Sequence, residues 1–502
     1  MRNYLATYDL VAVSANAKET ALNTEKTLDT SLLVTKSNLP ALEHRREDNK
    51  DELTGKEEAD TIYDLGNLSS MSMEFDKAQA QHFGLGYSYA LGVSTPSPWG
   101  TGYKHAITPT ADMFLPSFTL GARLGKTIMK RMFASMHVDQ LTATFAKDSW
   151  AKLVLALKGT GKYTDNMTTE LVTAKFSATT LPLAGTNAVE DGSADSALRL
   201  DNVHQVRVLV PNSGEYQDVT VTAVSAGPPS VLTITSPATA VAIAGLSKAA
   251  SCVVSWVGHG LVNGNKVTIA GITQAEWSGL KAEHIITKIG DDTFTIPVNT
   301  SAFSLSYDPG TDPGTIIEST NAVYEILYVP TEPAWCTFPA RVSEPPLRVT
   351  DLVLTMGGIW DGTSFLGGHA MSNEIESVEH NINNNLAVEF RVGGTGSYAN
   401  YVMRQNRAQT LKMNRQARDF ILQQRIKDNE YFGLRLTATG AEFETGKNYY
   451  VDIVFPRCAV LTAPLSVSGK VLAEAGDLVV LEDDTYGSVI VKVANKVTAY
   501  AA

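Results

Sequence analysis

Apolar and polar residues alternate along several short stretches, the period-2 signature of strands with one buried face. Met71, Met73 and Phe75 alternate with Ser72 and Glu74, and Leu141, Ala143 and Phe145 share one face of Val138–Phe145. Leu153–Leu157 predicts a third strand, closed by Gly159-Thr160-Gly161. Towards the C-terminus, strands are predicted at Phe432–Leu436, Tyr449–Phe455, Asp477–Leu481 and Ser488–Val493. One run, Arg404–Lys427, is rich in helix formers, with Ala417, Phe420, Ile421, Gln424 and Ile426 as a weak apolar stripe, and predicts the single helix. GLGYSYALG (Gly84–Gly92) mixes aromatics and glycines among strands, and the following turn-rich PSPWGTGYKHAITPT reads as a long excursion.

The texture changes between residues 188 and 335, where Val, Thr, Ser, Gly and Pro dominate. Gln205–Pro211 and Asp218–Val224 predict strands of a small sandwich or barrel. HGLVNGNKVTIAG (His259–Gly271) and DDTFTIP (Asp291–Pro297) form a compact unit inside this region. Gly264 and Asn265 supply its turn, and Val267 and Ile269 point inward. The tandem DPGTDPGT (Asp308–Thr315) is a turn-forming return to the parent domain. Four segments result: an N-terminal arm or loop (1–64), a first half of the parent domain (65–187), an inserted β region (188–335) holding a surface module (240–316), and a second half of the parent domain (336–502). A faint repeat links VDQLTATFAKDSWAKLVLALKGTG, from Val138, with IESVEHNINNNLAVEFRVGGTG, from Ile375. Each reads as a hairpin ending in Gly-Thr-Gly, which predicts a duplication.

Over 502 residues, 44% are hydrophobic and 19% charged, so the chain fills real cores and lacks the composition of a disordered one. The charged fraction is low for a soluble domain, as expected of a surface partly covered by copies of itself. A formal net charge of -12 argues against a protein that grips phosphate, although not against one past which DNA slides. Cys252, Cys336 and Cys458 are few, distant and odd in number, which predicts neither a disulfide framework nor a zinc site. No secretory leader and no apolar run of membrane-spanning length is read, so the chain is expected to be made and kept in solution.

Residues Glu43–Glu52 alternate in charge sign and read either as a solvated arm or as one that orders across a neighbouring subunit. Arg404, Arg407, Lys412, Arg415 and Arg418 concentrate positive charge. Asp419, Asp428 and Glu430 nearby favour intersubunit or solvated charge over a nucleic-acid patch. His82, His105, His137, His259 and His380 lack ligand spacing. Asp291-Asp292, Asp361-Gly362 and Asn263-Gly264 read as turns, and the acceptor triplet at Asn166 has no meaning without a secretory route. No phosphate loop, HExxH pair or nucleophile elbow occurs. No catalytic, cofactor-binding or metal residue is nominated, and no enzyme activity is expected.

Several stretches resemble the tail tube proteins of long-tailed, siphovirus-type bacteriophages. They are ETALNTEKTLDTSLLVTKSNLP, RREDNKDELTGKEEADTIYDLG, FDKAQAQHFGLGYSYALG with GTGYKHAITP, LPSFTLGAR and ESVEHNINNNLAVEFRVGG. The insert HGLVNGNKVTIAG…DDTFTIP resembles the small β module named after the first catalytic cysteine half-domain of ubiquitin-activating enzymes. The first resemblance implies a mainly β, tail-tube-type sandwich or barrel domain whose inner sheet joins those of neighbours into one barrel, with a second sheet and a helix outside. It implies a virion structural protein, assembled in the host bacterial cytoplasm, that stacks as rings into the conduit for genome DNA. Three chains make a pseudo-sixfold ring if the tube domain is duplicated, and six if it is not. The implied partners are copies of the chain, the tape measure, terminator and distal tail proteins, and duplex DNA passing without specific binding. A negative lumen is expected to ease that passage, with Glu379, Asn381 and Glu389 as candidate lining residues. The alternatives are a virion surface protein whose β insert binds host carbohydrate or another receptor, and a virion hydrolase. Tubes, sugar binding by the insert, or turnover lost on mutating one carboxylate would separate them.

Overall fold

The computed structural model describes residues 9–35, 39–53, 55–124, 129–165, 174–182, 205–211, 214–225, 231–327, 338–371, 373–394 and 396–501. The protein is mainly β, with two α-helices among these residues. It divides into two compact units, one built from residues 1–126, 130–164 and 336–502, the other from 127–129 and 165–335.

The first unit is organised by a nearly closed, barrel-like sheet. One run of antiparallel strands goes Ala41–Asp48, Ile62–Phe75, Lys152–Gly159, Met129–Ala146, Ile375–Asn383, Ala408–Gln416, Val471–Leu481. The long strand Lys447–Thr462 turns the corner. Its residues 457–462 pair with Val471–Leu481, while Tyr450–Val454 pair with Ile490–Asn495. From there the second run continues through Gly102–Pro109 to Gly92–Trp99 on one side, and through Phe432–Glu444 to Leu352–Trp360 on the other. One side chain in two faces the core, as the alternation requires. Val378, His380 and Ile382 are buried, whereas Glu379, Asn381 and Asn383 face outward. Each large apolar side chain enclosed this way contributes about 1.5–3 kcal/mol.

The helix Ala80–Leu91 lies inside this sheet, and all twelve residues are buried. It replaces the β texture expected around GLGYSYALG. Aromatics and glycines surround this helix on every side, so it carries no amphipathic stripe to read. Its glycines permit close approach. A Cβ on Gly84 would come within 2.5 Å of the Tyr500 ring, and one on Gly86 within 2.9 Å of Leu155. Gly92 ends the helix in the left-handed region, with φ 102°.

The predicted helix Arg404–Lys427 is mostly strand. Tyr401–Arg404 and Ala408–Gln416 are extended, and only Ile421–Asp428 is helical. Leu411, Met413 and Arg415 are the buried alternate positions, and pairing on both sides outweighs the helix propensity of the run. The second hairpin of the proposed repeat does not form either. Ile375–Asn383 pairs with Met129–Ala146 and Ala408–Gln416, while Leu386–Glu389 pairs with Tyr401–Arg404. The N-terminal segment is only partly an arm. Leu10–Val13 pairs with Thr30–Leu32 and Phe118–Leu124, with Val11, Ala12 and Val13 in the core.

In the second unit, a six-stranded sheet runs Ala174–Lys175, Asn321–Leu327, Gln205–Leu209, Tyr216–Ser225, Val231–Ile234, Thr180–Pro182. This unit starts at 165, earlier than the expected 188, because the short strands at 174 and 180 belong to that sheet. The module within it has two four-stranded sheets and its own core around Trp277, Phe294, Val267 and Ile269. Its first and last strands pair, Val241 with Ile316, so the chain enters and leaves the module at one place.

Candidate assembly surface

The outward face of the first run of strands is polar and bonded to itself. Asn381 Nδ2 donates to Thr142 Oγ1 at 2.8 Å, Asn414 Nδ2 to Ser377 Oγ at 2.9 Å, and Thr462 Oγ1 to Asp477 at 3.1 Å. One cross-strand row reads Thr144, Glu379, Lys412, Asp477, alternating acid with base. Of the three expected lining residues, Glu379 and Asn381 lie on this face. Glu389 does not. It belongs to the separate two-stranded ribbon and pairs with Arg391 at 2.8 Å. Lys152, Lys158 and Lys412 share the face with Glu74, Glu379 and Asp477, so the strands present mixed charge rather than a uniformly negative surface.

The core-facing row of this sheet runs past the core at one end. On Val471–Leu481 it descends from buried Leu478 through Gly476 and Glu474 to Leu472, which is 41% exposed. Val467 lies opposite Leu472 and is 76% exposed, with Leu465 and Leu461 exposed beside them. At the other end, the row Phe75, Met73, Met71 passes to Ser69 and Asn67, and a bulge at Leu65 and Gly66 then turns Tyr63 to the opposite face. This overhang of Leu472, Val467, Leu465 and Leu461 is apolar and uncovered among the described residues, and Leu465–Ser468 is also an edge strand.

The five clustered cations do four different things. Arg415 is wholly buried and holds Glu474 at 2.7 Å, Asp419 at 2.8 Å and Glu374 at 3.2 Å. Lys412 lies on the outward face, and Arg418 is bonded to the Asn373 carbonyl. Arg404 and Arg407 bind main-chain carbonyls around a cleft described below. Burial, followed by the charge of Arg404, lowers the Arg407 guanidinium to about 10.

His82, His105, His137, His259 and His380 are all buried. Burial pushes His82 down to about 3, and His137 and His380 to about 4; His105 is lowered by the same cause. Tyr87 Oη and His380 Nδ1 are 2.9 Å apart, and His259 Nε2 lies 3.1 Å from the Gly290 carbonyl. No group of three or more metal-ligating side chains occurs among the described residues. Asp291, Asp292 and Asp361 sit in turns, where Asp361 accepts from the amides of Thr363 and Ser364. Asn263 and Gly264 also form a turn. Cys252 and Cys458 are buried free thiols, both raised by burial. Cys336 and Asn166 lie outside the described residues. No helix among the described residues is long and apolar enough to cross a membrane.

Two buried carboxylates escaped sequence reasoning because their partners lie far along the chain. Glu19 accepts from the hydroxyls of Ser117, Thr119 and Ser135 at 2.5–2.8 Å and from the Ser135 amide at 2.9 Å. Glu344 accepts from the Gln81 amide in the first turn of the buried helix and from Lys496 N. Burial raises it to about 7. Both are fastenings between segments distant along the chain. No known protein-family model matches the chain, and no curated protein matches it.

Proposed function

We propose that the chain is a structural subunit that polymerises with copies of itself into the tail tube of a tailed bacteriophage, the conduit for genome DNA. The observation that carries this reading is the sheet whose core-facing row continues into solvent at Leu472, beside the exposed edge strand Leu465–Ser468. A neighbouring copy would extend the sheet, cover the overhang and remove the open edge. The self-bonded polar face would then line a lumen. Side chains already paired with one another offer a passing duplex few free donors, and the interspersed acids offset the lysines that would add drag by counterion release. Rings of three chains require a duplicated tube domain, and rings of six do not. The tape measure, terminator and distal tail proteins would meet the ends of the stack. Negative-stain microscopy of purified protein tests the reading: hollow tubes are expected, and a monodisperse monomer at high concentration would sink it.

A further inference from the structure

The hairpin Ala41–Asp48 with Ile62–Ser70 projects from its sheet, and residues 50–53 and 55–65 are exposed. Nine carboxylates and four cations fall between Glu43 and Asp64, a net charge of -5. Part of that charge is used locally, since Lys56 pairs with Asp60 and Tyr63 Oη donates to Glu52 at 2.8 Å. Asp51, Glu57 and Glu58 have no partner among the described residues, and Leu53 between them is fully exposed.

The opposite situation occurs in a cleft of 720 Å³ lined by Arg404, Arg407, Asn406, Gln409, Tyr486 and Ser488. Its volume is in the range that holds several side chains. Arg404 Nε donates to the Asp112 carbonyl at 2.8 Å, and Nη2 to those of Thr110 and Ala111 at 3.3 Å. Arg407 Nε donates to Asn384 Oδ1 at 3.0 Å, and Nη2 to Ala90 and Leu91 at the end of the buried helix. Carbonyls fix both guanidinium groups in place without neutralising them. Neither arginine has a carboxylate within ion-pair distance among the described residues, and Glu482 is the one acid in the lining. Two like charges held together beside an open cleft await an anion.

We infer that the acidic hairpin of one copy seats in the Arg404–Arg407 cleft of a second copy, with the 51–58 carboxylates on the guanidinium groups and Leu53 in the cleft. The tip is exposed in its own chain, so the two charges are satisfied only between chains. This inference rests on the self-assembly reading and adds a specific contact to it. Part of the attraction is long-range, so salt weakens it.

Mixed disulfide trapping tests it. Full-length Leu53→Cys and Asn406→Cys chains are assembled together and oxidised, beside each variant alone and a Leu53→Cys with Ala223→Cys control. A mixed dimer from the first pair, well above all controls, is expected. Asp51→Lys/Glu57→Lys/Glu58→Lys in the Leu53→Cys chain should abolish it, and inorganic phosphate should reduce it. Oligomers that form without this bond overturn the inference and leave the assembly reading standing. Phosphate bound at the cleft with charge-reversed chains assembling normally makes the cleft a small-anion site and equally overturns it. Absence of any oligomer overturns both.

Discussion

The module between Val241 and Glu318 and the large sheet of the first unit are both antiparallel β, yet they finish differently. The module encloses Trp277, Leu280, Phe294 and Ile296 and joins its own first and last strands. The large sheet encloses a helix and a much longer core, and still leaves Leu472 and Val467 in solvent at one end. The difference teaches where association would be built in. The module exposes Val257, Ile285, Ile289 and Leu305 but keeps its core row enclosed, whereas on the large sheet the core-facing row itself runs on to Leu472, which another chain would cover.

The largest expected effect comes from destroying the overhang. Val467→Asp/Leu472→Asp should abolish oligomers in sedimentation velocity. The monomer melting point should hardly move, because exposed positions away from special features cost within about 0.5 kcal/mol. Retained oligomers would break the comparison. Next in size is Arg415→Met, which strands Glu474 in the core and should cost about 3–5 kcal/mol by denaturant titration. The module should keep its own transition in that variant.

Acid should separate the two regions further. His82, His105, His137 and His380 all belong to the first unit and are all held below their ordinary pKa. Their contribution is complete above about pH 6.5 and is lost as pH falls towards 4, because only the unfolded chain takes up protons in that window. Calorimetry from pH 7 to pH 4 should lower the first unit's transition and leave the module's nearly in place. Glu344 acts in the opposite sense. Raised to about 7, it favours the folded state below its unfolded value of 4.5, and that advantage fades as pH rises through 7. Glu344→Gln should therefore stabilise the protein at pH 8 by about 1–3 kcal/mol and change little at pH 4.5. The smallest effect is expected from replacing residues 242–315 with a short Gly-Ser linker across the paired Val241 and Ile316. The first unit should keep its melting point and its assembly, and losing either would show that the module is more than a decoration.

Alternation alone located the strands around Met71–Phe75, Val138–Phe145, Leu153–Leu157, Tyr449–Phe455 and Asp477–Leu481, because a half-buried strand writes its buried face into every second residue. The turns at Asn263-Gly264, Asp291-Asp292 and Asp361-Gly362 were legible for a similar reason, since their geometry depends on a few neighbouring residues. Of the candidate surface, Glu379 and Asn381 were legible as one face of a strand, but not the neighbours that bond to them. The helix Ala80–Leu91 was not legible, since it is enclosed on all sides and has no polar face to set a period. Nor was the split of the 404–427 run into strand and short helix. There, pairing to Ile375–Asn383 on one side and Val471–Leu481 on the other decides the backbone, over local propensity. Which apolar residues stay uncovered was decided by tertiary structure alone. Leu472 and Leu478 carry the same alternation, and only the place where the core stops makes one buried and the other exposed.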